Sequence, residues 1–147
     1  MIMSACTFFG HRDCGGLDRE KLWMALEQLV TQGVDLFYVG NQGGFDRSVY
    51  GQLKRLRDKY PTVRIAVVLA YLPTEKRGEE WEADALYPEG LEHCPVRFAV
   101  DRRNRWMIDS ADYCICYVNH TWGGAYKFAR MAKNKGLQLQ NLADFQF

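Results

Sequence analysis

Residues 113–136 read YCICYVNHTWGGAYKFARMAKNKG. Tyr113–Val118 is a short apolar run, the signature of a strand covered on both faces. A glycine pair, Gly123-Gly124, soon follows, and Ala125, Phe128, Ala129 and Ala132 then recur at the spacing of one helix face. The helix predicted over 124–135 carries basic residues at its C-terminal end, where its dipole favours them, and stops at Gly136. A strand that runs through glycines straight into a helix presents bare N–H groups at the helix N-terminus, a place where anions bind.

Working outward, the same alternation repeats. Ala5–Phe9 (ACTFF) is apolar and ends at Gly10. Asp18 offers an N-cap, Leu22, Leu26, Leu29 and Val30 follow at helical spacing, and Gly33 closes that helix. DLFYVG (35–40) reads as the second strand. Asp46 is placed as the N-cap of the next helix, whose inward stripe is Val49, Leu53, Leu56 and Tyr60 and which ends at Pro61. VRIAVVLAYL (63–72) is a third strand. Residues 73–95 form a long polar connection with a short helix around 78–86, and long connections are often functional. A helix over 100–111, the strand 113–118, the helix already described and a strand at 137–142 complete the chain.

Strands alternating with helices imply a single Rossmann-like three-layer α/β domain over residues 1–147, with a mostly parallel sheet of about five strands. In such sheets ligands bind beyond the carboxyl ends of the strands, where the winding reverses. Three loops fall there. The first carries Gly10, His11 and Arg12. The second carries Asn41, Gln42, Gly43, Gly44 and Asp46. The third carries Thr121, Gly123 and Gly124. Arg102, Arg103 and Arg105 sit on the helix before the penultimate strand and cannot all point the same way; one reaching the cleft would clamp a phosphate or carboxylate. Tyr71, Trp81, Tyr87 and Trp122 lie near the expected rim, where packing is a simpler role for each than stacking on a purine.

A net charge of +1 gives no argument for a nucleic-acid partner, and no apolar run reaches the ~18 residues of a membrane span. With no leader-like start, a cytoplasmic setting is expected. The five cysteines form no C-x-x-C pair and read as reduced, mostly buried thiols; His11, Cys14, His93, Cys94 and His120 lack paired-ligand spacing, so no metal is expected. No G-x-G-x-x-G and no P-loop pattern is present, and no cofactor is called for. Domains of this class often pair, which makes a homodimer an expectation.

TFFGHR, VGNQGGFDRSVYGQLKRLRDKYPTVRIAVVLAYLP and RNRWMIDSADYCICYVNHTWGGAYKFARMAKNKG together resemble the SLOG superfamily, and within it the small YspA/YpsA-like branch. That superfamily contains the DNA-processing protein DprA and the "lonely guy" cytokinin phosphoribohydrolases. The resemblance implies a small-molecule, nucleotide-like ligand, of the ADP-ribose or NAD-derived class, bound by a sensor or binding domain. It places Gly10, His11, Arg12, Gly43, Gly44, Asp46, Arg103, Asn104, Arg105, Gly123 and Gly124 around the pocket. The phosphoribohydrolases follow their glycine pair with a threonine and a catalytic glutamate; here those positions align near Ala125 and Phe128. Phenylalanine can neither donate a proton nor stabilise an oxocarbenium-like sugar. Catalysis would then need a substitute acid, with Asp46 and His11 the first candidates and Asp13, Asp101 and Asp109 behind them. Hydrolysis at an N-glycosidic bond and a protein-interaction module with a vestigial pocket are the alternatives to ligand sensing.

Overall fold

The computed structural model describes residues 4–72 and 81–147. Strand and helix alternate as β1 (Ser4–Gly10), α1 (Arg19–Thr31), β2 (Val34–Val39), α2 (Gly43–Lys59), β3 (Arg64–Val68), β4 (Ala85–Leu86), α3 (Ala99–Asp109), β5 (Tyr113–Tyr117), α4 (Gly123–Asn134) and β6 (Gln138–Asn141). Among the described residues the strands form one sheet in the order β4-β3-β2-β1-β5-β6, and every pairing is parallel. The expected three-layer α/β fold is therefore present, with one strand more than predicted and no antiparallel pair.

Alternation along the strands builds two cores. Cys6 and Phe8 of β1, with Ile115 and Tyr117 of β5, pack with Leu22 and Leu26 of α1 and Val49 and Leu53 of α2. Phe9, Cys114 and Cys116 face the other way, onto Met107 and Ile108 of α3 and Phe128 and Ala132 of α4. Successive side chains of a strand point to opposite faces, so an unbroken apolar run feeds both layers. All five cysteines are free thiols, and burial pushes Cys116 up to about 12.

Local signals set most boundaries. Asp18 caps α1 by accepting from the N–H groups of Glu20 (3.0 Å) and Lys21 (3.2 Å). The N-cap reading of Asp46 is corrected: the cap position is Gln42, four residues earlier, and α2 begins at Gly43, so Asp46 lies in its first turn. The third strand ends at Val68, four residues before its predicted end. Leu69 and Ala70 stay buried, and Tyr71 and Leu72 emerge. Part of the helix expected around 78–86 lies outside the described residues. Its described part is a single 3-10 turn, Glu82–Asp84, followed by the two-residue β4. Two residues hold too few alternations to be read as a strand; β4 exists because Ala85 and Leu86 find register beside Val67 and Val68.

The chain adds β2, β3 and β4 on one side of β1 and then returns to place β5 on the other. The winding reverses between β1 and β5, so the loops that leave these two strands diverge there and open a cleft.

Candidate functional site

The cleft at this reversal has a volume of about 700 Å³. Four segments line it: Gly10 at the end of β1 through Asp13, Gln42 and Asp46 after β2, Arg103 and Asn104 on α3, and Asn119, His120 and Trp122–Ala125 after β5. Loops from separate parts of the chain thus converge as the sequence implies.

Arg103 is the deepest cation, only 2% exposed. Its Nε donates to Asn104 Oδ1 (2.7 Å) and its Nη1 to the Val68 carbonyl (2.7 Å). These bonds fix the plane of the guanidinium. Nη2 has no acceptor among the described residues, and the side chain lines the cleft. Burying a cation disfavours its charge, so burial lowers the Arg103 pKa while Asp46 pulls it back up.

Asp46 stands beside it. Its Oδ2 accepts from the Gln42 N–H at 3.0 Å, while Oδ1 makes no hydrogen bond among the described residues. Burial pushes the carboxyl up to about 6, against the opposing pull of the Gln42 N–H and the Arg103 charge. Gly40 makes the arrangement possible. A Cβ there would sit 2.7 Å from Asp46 Oδ2 and 3.1 Å from Arg103 Nη1. Asp46 also borders a second cavity of about 400 Å³, which takes in Asn41, Gly43, Tyr50 and Trp81.

His11 is buried, and its Nε2 accepts from the Asn119 N–H at 3.2 Å. An acceptor nitrogen carries no proton, so the neutral ring holds its proton on Nδ1. Burial, and after it the charge of His120, lower the pKa of His11. The side chain therefore offers the cleft a neutral donor, whereas the sequence suggested a cationic anion binder or general acid. The His11 ring stacks on His120 (3.7 Å between centroids, 15° between planes), and His120 stacks on Trp122 (3.8 Å, 21°). His120 Nδ1 is buried without a hydrogen-bond partner among the described residues, a loss of about 1–3 kcal/mol that the stack must offset.

The third loop is held by Asn141 of β6. Its Oδ1 accepts from the N–H groups of Val118 (3.0 Å) and Ala143 (3.1 Å), and its Nδ2 donates to the carbonyls of Val118 and Phe145 (2.9 Å each). The amide's full capacity is used, which pins the strand end from which Asn119 and His120 depart. α4 then starts at Gly123, whose φ is +88°. Gly124 needs no positive φ, and a Cβ there would meet nothing within 4 Å among the described residues.

Other expected residues are placed differently. Gly10 is bare because a Cβ would overlap the Phe45 ring, and the Gly44 N–H is spent on the Arg12 carbonyl (3.3 Å). Both therefore bring loops together. Asn41 and Gly43 face the smaller cavity. Arg105 points away from the main cleft and pairs with Asp101 (2.5 Å), which also holds Lys127 (2.8 Å). Asp109 pairs with Lys135. Thr121 is exposed and does not line the cleft. Phe128 packs against Phe9 at 5.8 Å and both rings line the cleft, so the position aligned with a catalytic glutamate is an apolar part of the cleft wall. Tyr87 and Trp81 pack on the core, whereas Trp122 is 67% exposed. Gly40, Asn119 and Asn141 were not singled out from sequence. Gly40 had a visible signal, a glycine at a strand's carboxyl end beside the loop; Asn119 acts through its backbone and Asn141 through partners distant in sequence, and neither leaves a local signature.

No metal-binding group of three or more His, Cys, Asp or Glu occurs among the described residues, and no described helix is long and apolar enough to cross a membrane. No family model and no curated protein matches this chain.

Proposed function

We propose that this protein binds a nucleotide-derived ligand, of the ADP-ribose or related nucleoside-phosphate class, as a sensor or binding domain of the SLOG type. The observation that carries the reading is Arg103: a buried guanidinium, locked by two hydrogen bonds, lining the cleft with a third nitrogen uncommitted. A buried cation with spare donors fits a phosphate better than any neutral group. The α4 N-terminus, which lines the same cleft, adds backbone N–H groups and the positive end of a helix dipole. Gly124 fits the same purpose, since neither its φ nor its neighbours demand glycine and a bare amide permits close approach.

The cleft is not uniformly positive. Asp13 and Asp46 share it with Arg12 and Arg103. Carboxylates repel a simple anion but accept hydrogen bonds from sugar hydroxyls, so a phosphate carried on a sugar suits this mixture.

Millimolar ADP-ribose or AMP is expected to raise the melting temperature by mass action, about 2.7 kcal/mol at a hundredfold excess over Kd. Arg103→Met should lose the shift. Absence of any shift across a panel of nucleoside phosphates sinks the reading.

A second reading rests on Asp46. A carboxyl with a pKa of about 6 and an unbonded oxygen is suited to proton transfer. On that reading the protein hydrolyses an N-glycosidic bond. Release of free base from AMP or NAD, abolished in Asp46→Asn, would establish it.

A further inference from the structure

The three stacked rings lead from the cleft to its rim. His11 is 8% exposed and anchored at Nε2, His120 lies flat upon it, and Trp122 forms the outer end. A single exposed aromatic is ordinary on a protein surface. This one is unusual in being buttressed: its inner face is covered by an imidazole at 3.8 Å, and the ring is 67% exposed. The buttress itself includes a buried nitrogen without a partner. Packing alone would have favoured an apolar ring in place of His120.

Trp122 is also the residue directly before α4, so its ring and the first N–H groups of the helix belong to adjacent residues. Arg103, nine-tenths buried and with a free nitrogen, lines the same cleft. An anion held at the helix start would carry any attached planar ring within reach of Trp122.

We propose that the outer face of Trp122 is the stacking platform for the base of a nucleoside phosphate whose phosphate sits at the α4 N-terminus. This rests on the reading of the cleft as a nucleotide site and assigns the subsite that distinguishes a nucleotide from a bare sugar phosphate. Every base has a π-face, so stacking accepts any of them, and discrimination among bases falls to hydrogen bonds elsewhere.

The test compares AMP with ribose 5-phosphate, which keeps sugar and phosphate but has no base, by calorimetric titration. The wild-type chain is expected to bind AMP about 5- to 100-fold more tightly than ribose 5-phosphate. Trp122→Ala should remove that advantage and leave ribose 5-phosphate affinity within about twofold; Trp122→Phe should retain most of it. His120→Ala, which removes the buttress, should weaken AMP alone. Equal AMP affinity in the wild type and Trp122→Ala would overturn the platform, as would parallel loss of both ligands. Ribose 5-phosphate binding with no advantage for AMP would sink the platform and leave the phosphate reading standing. Binding of neither to the wild type would end both. A change of oligomeric state in Trp122→Ala with AMP affinity intact would reassign the ring to a protein contact.

Discussion

The backbone N–H of Asn119 donates to Nε2 of His11, and the bond joins the loops on either side of the sheet's reversal. Protonating His11 would set two N–H groups against each other. Protonation is therefore resisted by burial, by His120 and by the geometry of the loop junction.

His11 is expected to titrate below the ordinary histidine value, as an NMR titration of its imidazole signals would show. Its folded pKa lies below its unfolded one, so the unfolded chain binds more protons as pH falls from about 6.5, and stability declines with it. His11→Gln should flatten that decline. A midpoint at or above 6.5 would contradict the assigned tautomer.

Asp46 gives the opposite slope. Its folded pKa of about 6 lies above its unfolded value, so its favourable contribution is complete below about 4 and is lost as pH rises through 6. The same titration governs the cleft. Sulfate, which stays a dianion throughout, should bind about three- to tenfold more tightly at pH 5 than at pH 7.5, as protonation removes a negative charge beside Arg103. Titration calorimetry of Asp46→Asn should show affinity independent of this group.

Gly124→Ala separates stability from binding. The added methyl meets no other part of the described structure within 4 Å beyond its own helix and neighbours, and it lies in a helix, so stability should rise by up to ~1 kcal/mol in urea unfolding. Ligand affinity should fall about tenfold, as the methyl obstructs an anion at the amide. Unchanged affinity would remove α4 from the site.

Gly40→Ala acts through the pair that it separates. A methyl at this position crowds Asp46 Oδ2 and Arg103 Nη1, and overpacking should cost about 1–3 kcal/mol. Moving Asp46 towards water should also return its pKa towards the usual carboxylate range, measurable by NMR. A variant as stable as the parent, with the Asp46 titration unmoved, would show that the contact is slack.

Much of the fold was legible because its signals are local. Asp18 and Gly33 mark the ends of α1 by capping chemistry, and the unbroken run at 113–118 announces a strand covered on both faces. The start of α2 was misplaced because Gln42 has no recognisable capping side-chain bond, which left Asp46 as the visible candidate. β4 was missed because so short a strand is specified by its neighbour.

The candidate site was legible as a set of loops but not as a set of roles. Three adjacent arginines are equivalent on paper; only the docking of α3 sends Arg103 inward and leaves Arg105 with Asp101. Glycines at one rim look alike, yet Gly10, Gly40 and Gly44 serve close packing of chain against chain, whereas Gly124 faces open space.

Sequence alone therefore determined the alternation of elements, the layers and the edge of the sheet where the glycine-rich loops gather, since periodicity and capping act over a few residues. Tertiary structure alone decided which groups are free to act: the Nδ1–H of His11, the spare nitrogen of Arg103, the carboxyl of Asp46 and the exposed face of Trp122. Charge state and hydrogen-bonding capacity depend on burial and on partners far along the chain, such as Asn119 for His11 and Val68 for Arg103.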